Sequence, residues 1–240
     1  MSHLSLQAAP DRVTGPEPGP VSESGPVPEL APVSESGPVS ESGPVSESAP
    51  PAVVAAPPGA GITVWLTGLP SAGKTTIAHA VADQLRAEGR RVQVLDGDVV
   101  RETLTADLGF SRADRDRNVE RIGYVAALLA GHGVVVLASV ISPFAAARDE
   151  VRARHAAAGL PFAEVHVATP VDVCVARDVK GLYARQRTGQ ITGLTGIDDE
   201  YEPPAAPELR LDTDGRSVTD SARAVRRLVP PLVSGSGEHQ

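Results

Sequence analysis

The chain has 240 residues and a formal net charge of −8, a length that suits one globular domain with a sizeable core. The charge is uneven: residues 1–58 hold seven carboxylates against Arg12 alone, so the rest is nearly neutral and offers no basic face for nucleic acid. The single cysteine, Cys174, excludes an internal disulfide, and there is no apolar run of the roughly 18 residues that a membrane span needs.

Residues 20–49 repeat a six-residue unit, Pro-Val-Ser-Glu-Ser-Gly, starting at Pro20, Pro26, Pro32, Pro38 and Pro44. One Val per unit cannot fill the turns of a β-helix, and the regular proline removes backbone donors. Residues 1–58 are therefore expected to be a disordered acidic tail, a solvated spacer ahead of a domain at 59–230, with 231–240 as a flexible C-terminus. The first thirty residues lack the basic start and apolar core of a signal peptide and the arginines of a transit peptide. A cytoplasmic protein is expected.

From Gly61 the pattern changes. Ile62–Thr67 reads as a buried strand, and Thr75–Glu88 as a helix with Ile77, Ala78, Val81, Ala82 and Leu85 on one stripe, ended by Gly89. Arg91–Leu95 reads as strand, about Arg115–Ala130 as helix, Val134–Ser139 as strand, Asp149–Ala158 as helix and Ala163–Ala168 as strand. Val171–Arg177 is helical, and a polar stretch runs to Pro207. A short strand at Leu209–Asp212 and a helix at Ser217–Val229 complete the chain. Strands alternating with helices predict an α/β fold, a P-loop NTPase-type three-layer sandwich with a parallel sheet. Ligands in such folds bind at the carboxyl ends of the strands.

Gly68-Leu69-Pro70-Ser71-Ala72-Gly73-Lys74-Thr75 matches G-x-x-x-x-G-K-[ST], placed between a strand and a helix. The glycines let backbone N–H groups face phosphate, Lys74 can reach the β- and γ-phosphates, and the Thr75 hydroxyl can ligate Mg²⁺. Asp96 and Asp98 close the second strand. One can hold Mg²⁺ and the other can take a proton from an attacking hydroxyl, unless the pair is only a turn followed by an Asp N-cap. The third strand ends in Ala138-Ser139-Val140, without the aspartate of a Walker B motif, so the carboxylate must come from elsewhere. The cluster from Asp114 to Asn118 follows Phe110, an aromatic that can pack on a base or ribose. The stretch holding Arg177, Lys180, Arg185 and Arg187, then a glycine-punctuated loop, is where a mobile lid would sit. The six histidines show no metal spacing, and Cys174 and Trp65 are expected to be packed core.

Six segments are similar, in order and spacing, to adenylyl-sulfate kinases: GLPSAGKTT at 68–76, LDGDVVR at 95–101, GFSRADRDRN at 109–118, ISPF at 141–144, RDVKGLYARQRTG at 177–189 and LTGIDDEYEPPAAPEL at 194–209. The resemblance implies transfer of the γ-phosphate of ATP to the 3′-hydroxyl of adenylyl sulfate. It places ATP phosphates on 68–75, including Thr75 beside Thr76, and adenine near Arg177 and the Thr213–Val218 loop. It implies a substrate site of Asp98, Arg101, Phe110, Arg115, Asn118, Ile141, Ser142, Lys180, Gly193 and Leu194. Asp98 and Lys74 would be catalytic, Ser142 would be the family's proposed phosphoserine, and Thr75 and Asp96 would hold the metal. A homodimer, and a separate ATP sulfurylase as functional partner of a stand-alone kinase, also follow from the resemblance. Glu120 and Ala145 depart from the family pattern by removing positive charge. Two rival readings share part of these features: a P-loop kinase of another small-molecule hydroxyl, and a nucleotide-binding interaction module.

Overall fold

A computed structural model of the chain describes residues 59–231. The expected acidic tail at 1–58 and nearly all of the expected C-terminal segment lie outside these residues.

The first strand, β1 (Ile62–Thr67), is buried at all six positions, as expected of a central parallel strand covered on both faces. It pairs in parallel with β3 (Val135–Ser139) on one side and β4 (Phe162–Val167) on the other. β2 (Val92–Asp96) lies outside β3, and β5 (Leu209–Leu211) outside β4, giving the order β2-β3-β1-β4-β5. The carboxyl ends of β1, β2 and β3 thus stand side by side, in register from Leu66 to Ser139 and from Ser139 to Asp96.

The helices cover both faces. Alternation along β1 sends Val64 and Leu66 into a core with α1 (Lys74–Ala87) and α7 (Val218–Arg226). Trp65 faces the other way, against Val119 and Ile122 of α3 (Arg112–Gly131) and Val151 of α4 (Ala145–Ala157). Trp65, Ile122 and Leu85 are among the largest fully buried side chains, each contributing roughly 1.5–3 kcal/mol of burial. Where α3 crosses α4, the missing side chain of Gly123 permits the contact: a Cβ there would lie 2.5 Å from a Val151 methyl.

Three further helices are short: α2 (Gly97–Glu102), α5 (Val171–Arg177) and α6 (Leu182–Arg187). α2 and α6 fall where the sequence suggested only a turn and a polar stretch. The Asp96 side chain caps α2 by accepting from the Asp98 N–H. The Asp178 carboxylate caps α6, accepting from the N–H groups of Tyr183 and Ala184 at 3.0 and 2.9 Å. α3 begins at Arg112 rather than Arg115, because the Ser111 hydroxyl accepts from the Asp114 N–H and sets the start there. α4 begins at Ala145 rather than Asp149, where the Ala145 N–H donates to Glu202 at 2.6 Å. Among the described residues no helix is long and apolar enough to cross a membrane.

Candidate phosphoryl-transfer site

The loop after β1 turns into α1 through Gly68, Ser71 and Gly73, all at positive φ. A side chain at Gly68 would bring its Cβ within 2.4 Å of the Val167 carbonyl oxygen, so only glycine allows the loop to leave between β1 and β4. Lys74 opens α1. It is buried, and its ammonium donates to the carbonyls of Gly68 and Leu69 at 2.8 and 2.7 Å. Burial pulls its pKa from 10.5 down to about 7.

Thr75 follows. Its hydroxyl donates to an Asp96 carboxylate oxygen at 2.7 Å and lies 3.1 Å from the Ser139 hydroxyl. Asp96 therefore has two partners at once. One oxygen caps α2 while the other faces the P-loop. Ser139 occupies the strand end where the Walker aspartate was missing. Thr75, Asp96 and Ser139 make a set of hard oxygen donors that fits Mg²⁺. Among the described residues no cluster of three or more His, Cys, Asp or Glu could hold a metal. Such a site would be completed by phosphate and water oxygens, the arrangement Mg²⁺ usually takes.

One cleft of about 600 Å³ joins these groups to the second half of the expected site, a volume that suits small ligands. Its lining includes Pro70, Ser71, Gly73, Lys74, Thr75 and Thr76 of the P-loop, Asp96 and Asp98, and Arg101, Phe110, Arg115 and Asn118. Ile141, Ser142, Lys180, Gly193 and Leu194 line it as well. Asp98 forms an ion pair with Lys180 across the cleft, tying α2 to the lid stretch. Phe110 is 66% exposed, with the Arg101 guanidinium 4.6 Å from its ring centre. It is thus an open aromatic face beside fixed positive charge. Asn118 is buried and accepts from the Thr105 hydroxyl at 2.8 Å.

Arg115, expected in the substrate site, lines the cleft and is also tied within the protein. It is 8% exposed and donates to the Phe110 carbonyl, the Thr195 hydroxyl, the Gly193 carbonyl and the Asp199 carboxylate. Most of its five donors are already used within the protein. It lines the cleft and also fastens the segment after the lid to α3.

Gly68, Leu69 and Ala72 shape the loop without lining the cleft. Arg177 also lies outside the cleft lining. It donates to the hydroxyl and carbonyl of Thr213 at 2.7 and 2.9 Å, and the Thr213 hydroxyl donates to the Ala72 carbonyl. The Arg177–Thr213 pair thus backs the P-loop from behind. The two departures in charge fall outside the cleft lining as well. Glu120 is exposed and faces Arg117, and Ala145 meets Glu202 through its N–H.

Sequence reading missed several residues here. Ser139 meets Thr75. Tyr183 is buried and donates to the Pro70 carbonyl at 3.1 Å, rooting α6 on the P-loop. Trp65 is core as expected, yet its indole N–H also donates to the Ser142 hydroxyl oxygen at 3.0 Å. A tryptophan one position out of phase with the apolar face of β1 was the available signal.

The residue pattern and the geometry agree with comparisons to known proteins. Residues 60–212, more than half of the chain, match the family model described as adenylylsulphate kinase. A probable adenylyl-sulfate kinase of Synechocystis sp. is 55% identical over 161 residues, covering 67% of this chain and 89% of the relative. A probable adenylyl-sulfate kinase of Pseudomonas aeruginosa is 48% identical over 167 residues, covering 70% and 76%. The solved structure of a Mycobacterium tuberculosis APS kinase in complex with AMPPNP and APS superposes with a TM-score of 0.69 at 48% identity, covering 70% of this chain and 97% of that one. On a match of this extent, with the phosphate loop, the paired aspartates and the lid in one cleft, the chain belongs to the adenylylsulphate kinase family.

Proposed function

We propose that this cleft moves the γ-phosphoryl group of ATP to the 3′-hydroxyl of adenylyl sulfate, giving ADP and 3′-phosphoadenylyl sulfate. The observation that carries the reading is a single cleft lined by the P-loop Lys-Thr pair, by an open aromatic beside arginine, and by two aspartates. The loop N–H groups and Lys74 bind the phosphates, with Arg177 and Thr213 supporting the loop on the adenine side. Phe110 offers a stacking face, Arg101 and Lys180 offer charge, and Asn118, Ile141, Ser142, Gly193 and Leu194 shape the rest of the acceptor pocket. Asp98 takes the proton as the hydroxyl oxygen forms its bond to the γ-phosphorus and the bond to the bridging oxygen of ADP breaks. Thr75 and Asp96 would hold Mg²⁺, which when bound neutralises phosphate charge.

Ser142 supports direct transfer. Its oxygen already accepts from Trp65, its carbonyl is bound by Arg148, and among the described residues no base is a hydrogen-bond partner of its hydroxyl. It serves as a donor to substrate and carries no phosphate. A homodimer, a cytoplasmic location and supply of adenylyl sulfate by a separate ATP sulfurylase complete the reading.

The deciding experiment incubates the protein with Mg-ATP and adenylyl sulfate and weighs the products. A product heavier than adenylyl sulfate by one phosphoryl group is expected. Transfer to a sugar or other hydroxyl in preference, or ATP binding with no transfer, would give the assignment to one of the two rivals.

A further inference from the structure

Arg148 on α4 is 2% exposed and makes no direct contribution to the cleft lining. Each nitrogen of its guanidinium has a different partner. Nε donates to the Glu164 carboxylate at 2.8 Å, one amino group donates to the Ser142 carbonyl at 2.7 Å, and the other donates to the Glu202 carbonyl at 2.7 Å. Glu164 on β4 is itself buried and anchors the fork from below. The two carbonyls belong to separate parts of the site. Ser142 lies in the turn that lines the acceptor end of the cleft, and it holds φ at 40° although it is not glycine. Such a conformation persists only when its surroundings fix it. Glu202 ends the segment that descends from the lid loop.

The same two parts are joined a second time beneath the turn. The Thr67 hydroxyl donates to the Ile141 carbonyl at 2.6 Å and lies 3.0 Å from the Tyr201 hydroxyl. The Glu202 N–H donates to the Pro143 carbonyl at 2.9 Å. Arg115 fastens the beginning of the segment, at Gly193 and Asp199, to α3. Residues 193–202 therefore form a strap seated on the body, with Arg148 at the point where strap and acceptor turn meet.

We propose that Arg148 is a positioning residue for phosphoryl transfer, coupling the seating of the 193–202 strap to the conformation of the Ile141–Ser142 turn. The turn takes its acceptor-binding shape only while the strap is in place, and the rigid planar fork of arginine is what spans the two carbonyls. Lysine carries the charge to Glu164 but cannot reach three acceptors in one plane. The inference rests on the reading that Ile141 and Ser142 bind the acceptor.

The test measures KM for adenylyl sulfate, KM for ATP, kcat and melting temperature in four variants. Arg148→Met should lower the melting temperature, since Glu164 is left buried without its partner. Arg148→Lys should recover much of that temperature, yet raise KM for adenylyl sulfate about tenfold, the scale of one lost charged hydrogen bond, with KM for ATP within about twofold. Thr67→Val and Tyr201→Phe keep shape and remove only hydroxyls. Each should raise KM for adenylyl sulfate several-fold, and combined with Arg148→Lys the effects should fall short of multiplying. If the Arg148 variants do not fold, the two hydroxyl variants decide. Melting temperatures that fall while both KM values stay at wild type would overturn the proposal and leave Arg148 a packing residue. Failure of the wild type to phosphorylate adenylyl sulfate at all would instead strike the functional assignment beneath it.

Discussion

Lys74 carries the sharpest consequence at the residue scale. Its ammonium sits in a buried pocket that holds its pKa at about 7, and a bound triphosphate would favour the charged form. Binding of Mg-ATP should therefore take up a proton at pH 8, and affinity should rise as pH is lowered from 9 toward 7. Calorimetry in buffers of different ionisation enthalpy reads this directly. A proton uptake of zero at pH 8 would show that Lys74 is already charged in the free protein. Lys74→Ala should abolish turnover. Asp98 pairs with Lys180 across the cleft; as the base, its replacement Asp98→Asn should cost about 10²-fold or more in kcat, with ATP binding intact by the same calorimetry. Stoichiometric phosphoserine at Ser142 after incubation with ATP alone would contradict direct transfer. His166 gives a separate acid signature. Burial pushes its pKa from 6.5 down to about 4, so the unfolded chain binds more protons than the native state between those values. Stability should fall as pH drops through that window, by an amount on the order of a few kcal/mol. His166→Gln should flatten part of the slope in a thermal-melt series.

At the scale of elements, the packing of α3 on α4 depends on Gly123. Gly123→Ala places a methyl 2.5 Å from a Val151 methyl in a fully packed core. Overpacking of this kind costs about 1–3 kcal/mol. The melting temperature should drop by several degrees, and Val151→Ala in the same chain should return part of the loss. A neutral Gly123→Ala would mean that the two helices separate easily. Several elements were legible because their signals are local. Ile62–Thr67 and Val171–Arg177 have the expected bounds, and the P-loop carries its own spacing. The six-residue helices α2 and α6 were not, since too few residues repeat to show a period. Each depends on one aspartate, Asp96 or Asp178, whose capping role is indistinguishable in sequence from a turn. The fastening role of Arg115 was hidden for a related reason. Its partners Gly193, Thr195 and Asp199 lie 78–84 positions away, and distant partners leave no mark on the local pattern. Tyr183 and Arg148 were hidden in the same way, their tasks set by Pro70 and by Ser142 and Glu202.

At the scale of the whole molecule, the described residues enclose a core of their own. α1 and α7 cover one face of the sheet, and α3 and α4 the other. A chain starting at residue 59 should keep the melting temperature and the turnover of the full chain; a large loss of either would show that the repeats are needed by the kinase. The strap has a wider consequence. Tyr183 is bound to Pro70, and the segment from Gly193 is bound to α3 and α4, so both ends of the lid are moored to the body. Between the moorings lie Arg185 and Arg187, exposed on one short stretch. Trypsin cleavage within that stretch should leave two fragments still held together by the buried sheet. Saturating the cleft with both ligands should slow cleavage after Arg185 and Arg187, and an unchanged rate would show that the stretch is not covered when the ligands bind.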